Sequence, residues 1–177
     1  MAERKVLEYN GSVFENTIAR NLARRYPDAI IIQNRQLYSD FLKNDTQIDL
    51  ILILSKGIFV IEAKNWKRWV KGGYNTDHWK GQASSMNVLD VFSPVNQNII
   101  HVRALRNAIR CKFGMDVVRF HNVVCFPDTV SLMTSCTEVV TLSSLGLYLD
   151  KLLIAEDGAA LDTEFYYSCI MEVTSNG

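Results

Sequence analysis

The chain has 177 residues, 48% of them apolar and 21% charged, so it buries an ordinary core and is neither a disordered tail, a collagen-like repeat nor a stapled mini-protein. Its longest unbroken apolar run, Leu50 to Leu54, is five residues, whereas a membrane helix needs ~20. The formal net charge of zero hides a split, because residues 1–112 carry 17 Lys and Arg against 10 Asp and Glu, and residues 113–177 carry 2 against 9.

A basic first part favours an anionic partner, nucleic acid foremost, although mutual neutralisation of the two parts accounts for the same numbers. No apolar stretch follows Glu3, Arg4 and Lys5 to make a secretory leader. The expected compartment is the cytoplasm, with no membrane partner.

The first element is a helix over 12–26. Ser12 and Glu15 form an S-x-x-E capping box, Phe14, Ile18, Leu22 and Tyr26 make one apolar stripe, and Pro27 ends it. Residues 29–37 are β-rich, and a polar loop through Lys43, Asn44 and Asp45 follows. Gln47 to Lys64 then reads as a hairpin, two β-rich runs parted by Ser55-Lys56-Gly57. Both runs are apolar on both faces, which places them in a sheet covered on two sides by helices.

Segment 65–81 interleaves Trp66, Trp69, Tyr74 and Trp79 with Lys67, Arg68, Lys71 and Lys80, and Gly72-Gly73 marks a turn between short strands. Ser93-Pro94 opens a second long helix running to about Cys111. Strands are expected over 120–126 and 138–142, then a helix capped by Ser143 or Ser144, and a last helix or strand over 160–172. The whole is one α/β domain over 1–177 with a mixed sheet. Cysteines 111, 125, 136 and 169 form no C-x-x-C pair and lie at no zinc-finger spacing from His78, His101 or His121, so free buried thiols are expected.

The hairpin is apolar inside except for Asp49, Glu62 and Lys64. With Lys56-Gly57 as a two-residue loop, Asp49 faces Lys64 and Ile51 faces Glu62, and all three charges share one face at the hairpin's open end. A slip of one residue would set Asp49 opposite Ala63 and divide the group. Charges in so apolar a sheet cost several kcal/mol each, of order, unless paired or bound to metal. A buried Asp–Lys ion pair with a bystander Glu is one solution. Two carboxylates converging with an ammonium also make a hard-cation site for phosphodiester chemistry.

Asp49, a twelve-residue spacer and Glu62-Ala63-Lys64 resemble the D…E-x-K signature of the PD-(D/E)XK nuclease superfamily. With Gly11-Ser12-Val13-Phe14-Glu15, Gln47-Ile48-Asp49, Trp79 and Pro94-Val95-Asn96-Gln97, the stretch 11–110 resembles the nuclease-related (NERD) domain, with 111–177 supplying closing strands and helices. The sequence departs from that pattern at Ser93, where the family often has asparagine, and in keeping only Gly11 of the glycines near the first acid.

The resemblance implies a restriction-endonuclease-like mixed central sheet flanked by helices on both faces, cutting nucleic acid, DNA by preference, with Mg²⁺ or substituting Mn²⁺. It implies Asp49, Glu62 and the Ala63 carbonyl as metal ligands and Glu15, Asp49, Glu62, Lys64 and Gln97 as catalytic. Lys67, Arg68, Lys71, Trp66 and Arg103 are the candidate nucleic-acid contacts, the last with Arg106 and Arg110 in a basic stripe on the second helix. Each has a plainer reading: Glu15 as a cap residue, Gln97 as a solvated helix former, the tryptophans as core rings, the arginines as a wet face. His101, one turn on from Gln97 and on the same face, reads as a partly buried surface histidine, with contact to phosphate or water as the alternative. Two other functions fit the same residues. One is a catalytically inactive nucleic-acid-binding or protein-interaction module of this fold. The other is an adaptor whose acidic Glu156, Asp157, Asp162 and Glu164 meet a basic partner.

Overall fold

The computed structural model describes residues 12–82, 88–115 and 119–177; Gly11 and the N-terminal charges lie outside them. The first helix, α1 (Val13–Arg25), starts at the expected cap: the Ser12 side chain accepts from the Glu15 backbone while Glu15 accepts from the Ser12 N–H at 3.1 Å. Two antiparallel hairpins follow. Strand β1 (Ile30–Ser39) pairs with β2 (Asn44–Leu54), and β2 with β3 (Gly57–Ala63). The loop expected at 43–45 is shorter, because Asn44 and Asp45 already pair in the ladder.

A small second sheet comes next, built from β4 (Trp69–Lys71), β5 (His78–Gly81) and β6 (Leu89–Phe92) and completed by β8 (Ser131–Met133). The long helix α2 (Pro94–Phe113) is capped by Ser93 and closed by Gly114, whose φ of 67° suits glycine. It leads to β7 (Phe120–Phe126), which lies parallel to β3, and β9 (Val139–Thr141) lies parallel to β7. Helix α3 (Leu142–Ala155) is capped by Thr141, two to three residues before the expected serines, with Ser144 as the reciprocal partner in a capping box. Segment 160–172 resolves as helix α4 (Thr163–Val173), and β10 (Ser175–Asn176) returns to the edge of β1.

The main sheet runs β10-β1-β2-β3-β7-β9. Helices α1 and α3 cover one face through Phe14, Ile18, Leu22, Leu145 and Leu149, packed on Leu50, Leu52, Phe59 and Ile61. Helices α2 and α4 cover the other through Leu105, Ile109 and Ile170, packed on Ile51, Ile53, Ile58 and Val60. This is the restriction-endonuclease-like mixed sheet, and it explains why the central strands are apolar on both sides. Among the described residues, no helix is long and apolar enough to cross a membrane.

The second sheet is fastened at one end of the main sheet. Trp66, Val70 and Trp79 pack with Val124 and Phe126, and the Trp66 ring meets Phe126 edge-on at 5.7 Å. Two glycines make room for these indoles: a Cβ on Gly72 would lie 2.2 Å from Trp79, and one on Gly81 2.3 Å from Trp66. The four cysteines are free; three are buried as expected and Cys111 is exposed.

Candidate active site

The β2–β3 turn is Ser55-Lys56, with Leu54 paired to Gly57, so the expected register is displaced by two residues. A two-residue displacement preserves the faces, since side chains alternate with period two. Thus Ile51 and Ile53 still share the α2 face with Val60. The partners change, however. The ladder ends at Leu50–Ile61, and the next step sets Asp49 beside Glu62 rather than opposite Lys64.

Past that point β2 and β3 no longer exchange backbone bonds. The Asp49 carboxylate fills the gap, accepting from the Ala63 N–H at 2.8 Å. β7 holds the other side of β3, with the Lys64 N–H donating to the Cys125 carbonyl at 2.9 Å. Two acids therefore meet where the sheet parts. Glu62 is 3% exposed and faces α2. Its Oε1 lies 2.5 Å from the Lys64 ammonium, and its Oε2 lies 3.3 Å from His101 Nδ1. That second contact is within ion-pair range but misses hydrogen-bond geometry, so both atoms stay buried without a hydrogen bond.

Lys64 Nζ also donates to Gln97 Oε1 at 2.9 Å. Helix α2 thus delivers Gln97 and His101 to the strand's acid and base. Asn98 registers the helix: its buried amide donates to the carbonyls of Val60 at 2.8 Å and Val123 at 2.9 Å. Its position between Gln97 and His101 makes that registration part of the site.

Electrostatics set the two acids apart. Burial, reinforced by the charge of Glu62, pushes Asp49 up to about 7, against the opposing pull of the Ala63 N–H and Lys64. Glu15 on α1 adds to the repulsion, which places its charge within electrostatic reach of Asp49 from the opposite face. Burial would raise Glu62 as well, but His101 and Lys64 outweigh it and hold its carboxyl below the ordinary value.

This donor set fits a hard divalent cation. Two carboxylates are crowded together, one at a raised pKa, and Glu62 Oε2 is a buried acceptor without a hydrogen bond. Among the described residues, no group of three or more His, Cys, Asp or Glu converges to hold an ion by itself. An ion here would complete its shell with waters and substrate oxygens, as Mg²⁺ commonly does.

The structure therefore gathers Asp49, Glu62, Ala63, Lys64 and Gln97, with Glu15 at the margin. His101 is not the surface histidine of the sequence reading; at 3% exposure it is part of the site. Its spacing of four from Gln97 was the available signal. Trp66 is corrected as a nucleic-acid contact, because burial against Phe126 leaves no free ring face, and Trp79 is likewise buried. Lys67, Arg68, Lys71 and Arg103 are exposed.

A mixed sheet parting around an acid pair and a lysine defines a protein of the restriction-endonuclease-like class. The family model described as nuclease-related domain matches residues 10–127, and the chain belongs to that family. It is also similar to an uncharacterized protein, pXO1-01, of Bacillus anthracis, 27% identical over 106 residues that cover 59% of this chain and 49% of the relative. The chain thus spans about half the length of that relative. No solved structure gives a significant match.

Proposed function

We propose that the protein is a Mg²⁺-dependent nuclease that hydrolyses phosphodiester bonds, with DNA as substrate. The observation that carries this reading is the convergence of Asp49, Glu62 and Lys64 where β2 and β3 part. Asp49, Glu62 and the Ala63 carbonyl would hold Mg²⁺, with Mn²⁺ able to replace it. The ion, when bound, supplies a lowered pKa for water and offsets charge on phosphate. Lys64, steadied by Glu62 and Gln97, orients the attacking water and neutralises charge that builds on the phosphate oxygens. Gln97 fixes the direction of the ammonium, and Glu15 deepens the negative potential that attracts a cation. Lys67, Arg68, Lys71 and Arg103 supply phosphate contacts beside the site.

The test is cleavage of plasmid and oligonucleotide DNA with Mg²⁺ and with EDTA. Asp49→Ala should abolish cutting, and Lys64→Ala should lower its rate by about 10²-fold or more. Equal activity in both variants and the wild type would assign the cutting to a contaminant. One observation favours a second reading, a catalytically inactive nucleic-acid-binding module: the Lys64 ammonium already pairs with Glu62 without metal. Salt-dependent DNA binding with no calorimetric signal from Mg²⁺ or Mn²⁺ would select it.

A further inference from the structure

Helix α2 has a second working face, turned away from Gln97 and His101. Asn96, Ile99, Ile100 and Arg103 line a cavity of about 340 Å³, closed by Phe41 from the β1–β2 turn, Phe92 from the end of β6, and Asp77. Phe41 is 73% exposed and Phe92 43%. Two phenyl rings left in water at one cavity, inside a polar rim, mark an interaction site and not part of the core.

The polar groups are specific in kind. Among the described residues Arg103 has no ion-pair partner, and it begins the exposed stripe continued by Arg106 and Arg110. Asp77 accepts from the Asn96 amide at 3.1 Å, and both residues line the cavity. Rings for stacking, a cation for phosphate and an Asp/Asn pair for a base edge are the components of a nucleotide pocket. The lining residues Asn96 and Ile100 precede Gln97 and His101 in the chain, so the cavity and the acid pair flank the same first turns of α2.

We propose that this cavity receives one unstacked base of the substrate strand, held against Phe41 and Phe92, with Arg103 on the neighbouring phosphate. The preferred substrate is consequently single-stranded DNA or DNA with an unpaired segment, because a paired base cannot enter. This deepens the nuclease reading and rests on it only for the class of ligand.

Binding is measured in EDTA, without turnover, with a single-stranded oligonucleotide carrying one 2-aminopurine, and with its duplex. The wild type should bind the single strand more tightly and change the 2-aminopurine fluorescence. Phe41→Ala and Phe92→Ala should each weaken single-strand binding by about 5- to 150-fold, the cost of one lost stacking partner. Duplex binding should change by less than about 2-fold, and Phe41→Trp should keep the tight binding. Both rings are exposed, so truncation leaves the core intact. Single-strand binding indifferent to both truncations, or equal affinity for duplex, overturns the proposal. So does a protein that binds no DNA and uses these rings to hold a protein partner. If the variants behave as expected but Mg²⁺ elicits no cutting, the pocket stands and the catalytic reading falls. If Mg²⁺-dependent cutting proceeds but ignores Phe41 and Phe92, the reverse holds.

Discussion

Asp49 is the residue on which the site's energetics turn. Its carboxyl titrates at about 7 in the fold, against 3.8 for the ordinary group. Below about pH 4 the folded and unfolded chains are both protonated there. Between about 4 and 7 the folded chain keeps the proton and the unfolded chain releases it, so rising pH favours unfolding until the slope ends above 7. The accumulated penalty is about 2 to 4 kcal/mol, the lower value allowing for solvent that reaches the partly exposed side chain. In EDTA, urea unfolding of Asp49→Asn should lack this slope and exceed the wild type in stability at pH 8. Identical pH slopes in the two proteins would show that Asp49 is not held in this state. Saturating Mg²⁺ should stabilise the wild type more at pH 8 than at pH 5, since the cation competes with the proton for one carboxylate. Lys64 belongs to the same balance. Lys64→Met keeps the length of the stem but leaves Glu62 facing only His101, and should cost about 3 kcal/mol, read as a shift in urea midpoint at constant slope.

Among the elements, α2 decides whether a strand's charges become a site. Asn98 ties it to two strands at once by donating to the Val60 and Val123 carbonyls. Asn98→Ala should cost about 2 to 4 kcal/mol, having removed two buried bonds and stranded their acceptors. It should also loosen the bond between Lys64 and Gln97, so that any metal-dependent activity falls further than stability predicts. Activity in proportion to the folded fraction would mean that Asn98 serves stability alone. The elements also show what a sequence discloses. The capping box at Ser12 and Glu15, the Ser93-Pro94 start of α2 and the doubly apolar hairpin were legible, because each is a local pattern with a local cause. The register was not. A turn at Ser55-Lys56 or at Lys56-Gly57 satisfies the same alternation, so the pattern alone does not select the observed Leu54–Gly57 closure. The small sheet was legible in part: Gly72-Gly73 marked a turn between short strands, which are β4 and β5, while β6 and β8 carried no comparable signal. Its strands are three or four residues long, and the sequence suits Trp66 and Trp79 to stacking or to core packing alike until Phe126 covers one and Gly72 admits the other. Parity carried the candidate site through the register error, since a displacement of two leaves Glu62 on the face that meets α2.

Across the whole molecule, the opposed charges of the two parts are only partly matched. Asp150 pairs with Arg25, Glu172 with Lys112 at 3.1 Å, and Glu156 with Arg119 at 3.8 Å. These pairs lie on the helices and at the turn end of the hairpin. At the site end, Lys67, Arg68, Lys71 and Lys80 have no ion-pair partner among the described residues. Lys71 and Lys80 even stand directly opposite each other in the β4–β5 ladder. Like charges so placed cost a few tenths of a kcal/mol to about 1 kcal/mol, and a polyanion laid across them would turn that cost into binding. Lys71→Thr should therefore raise the thermal midpoint of the free protein while weakening its affinity for DNA. Replacing both lysines should flatten the dependence of log affinity on log salt by about 1.8 on duplex, or about 1.4 on a single strand. Lys112→Ala is the matched control, because its ammonium is already paired with Glu172 and should leave that dependence unchanged. If the double variant and the Lys112 variant give the same salt dependence, the nucleic acid runs across some other face, and the unmatched cations of the small sheet have no part in holding it.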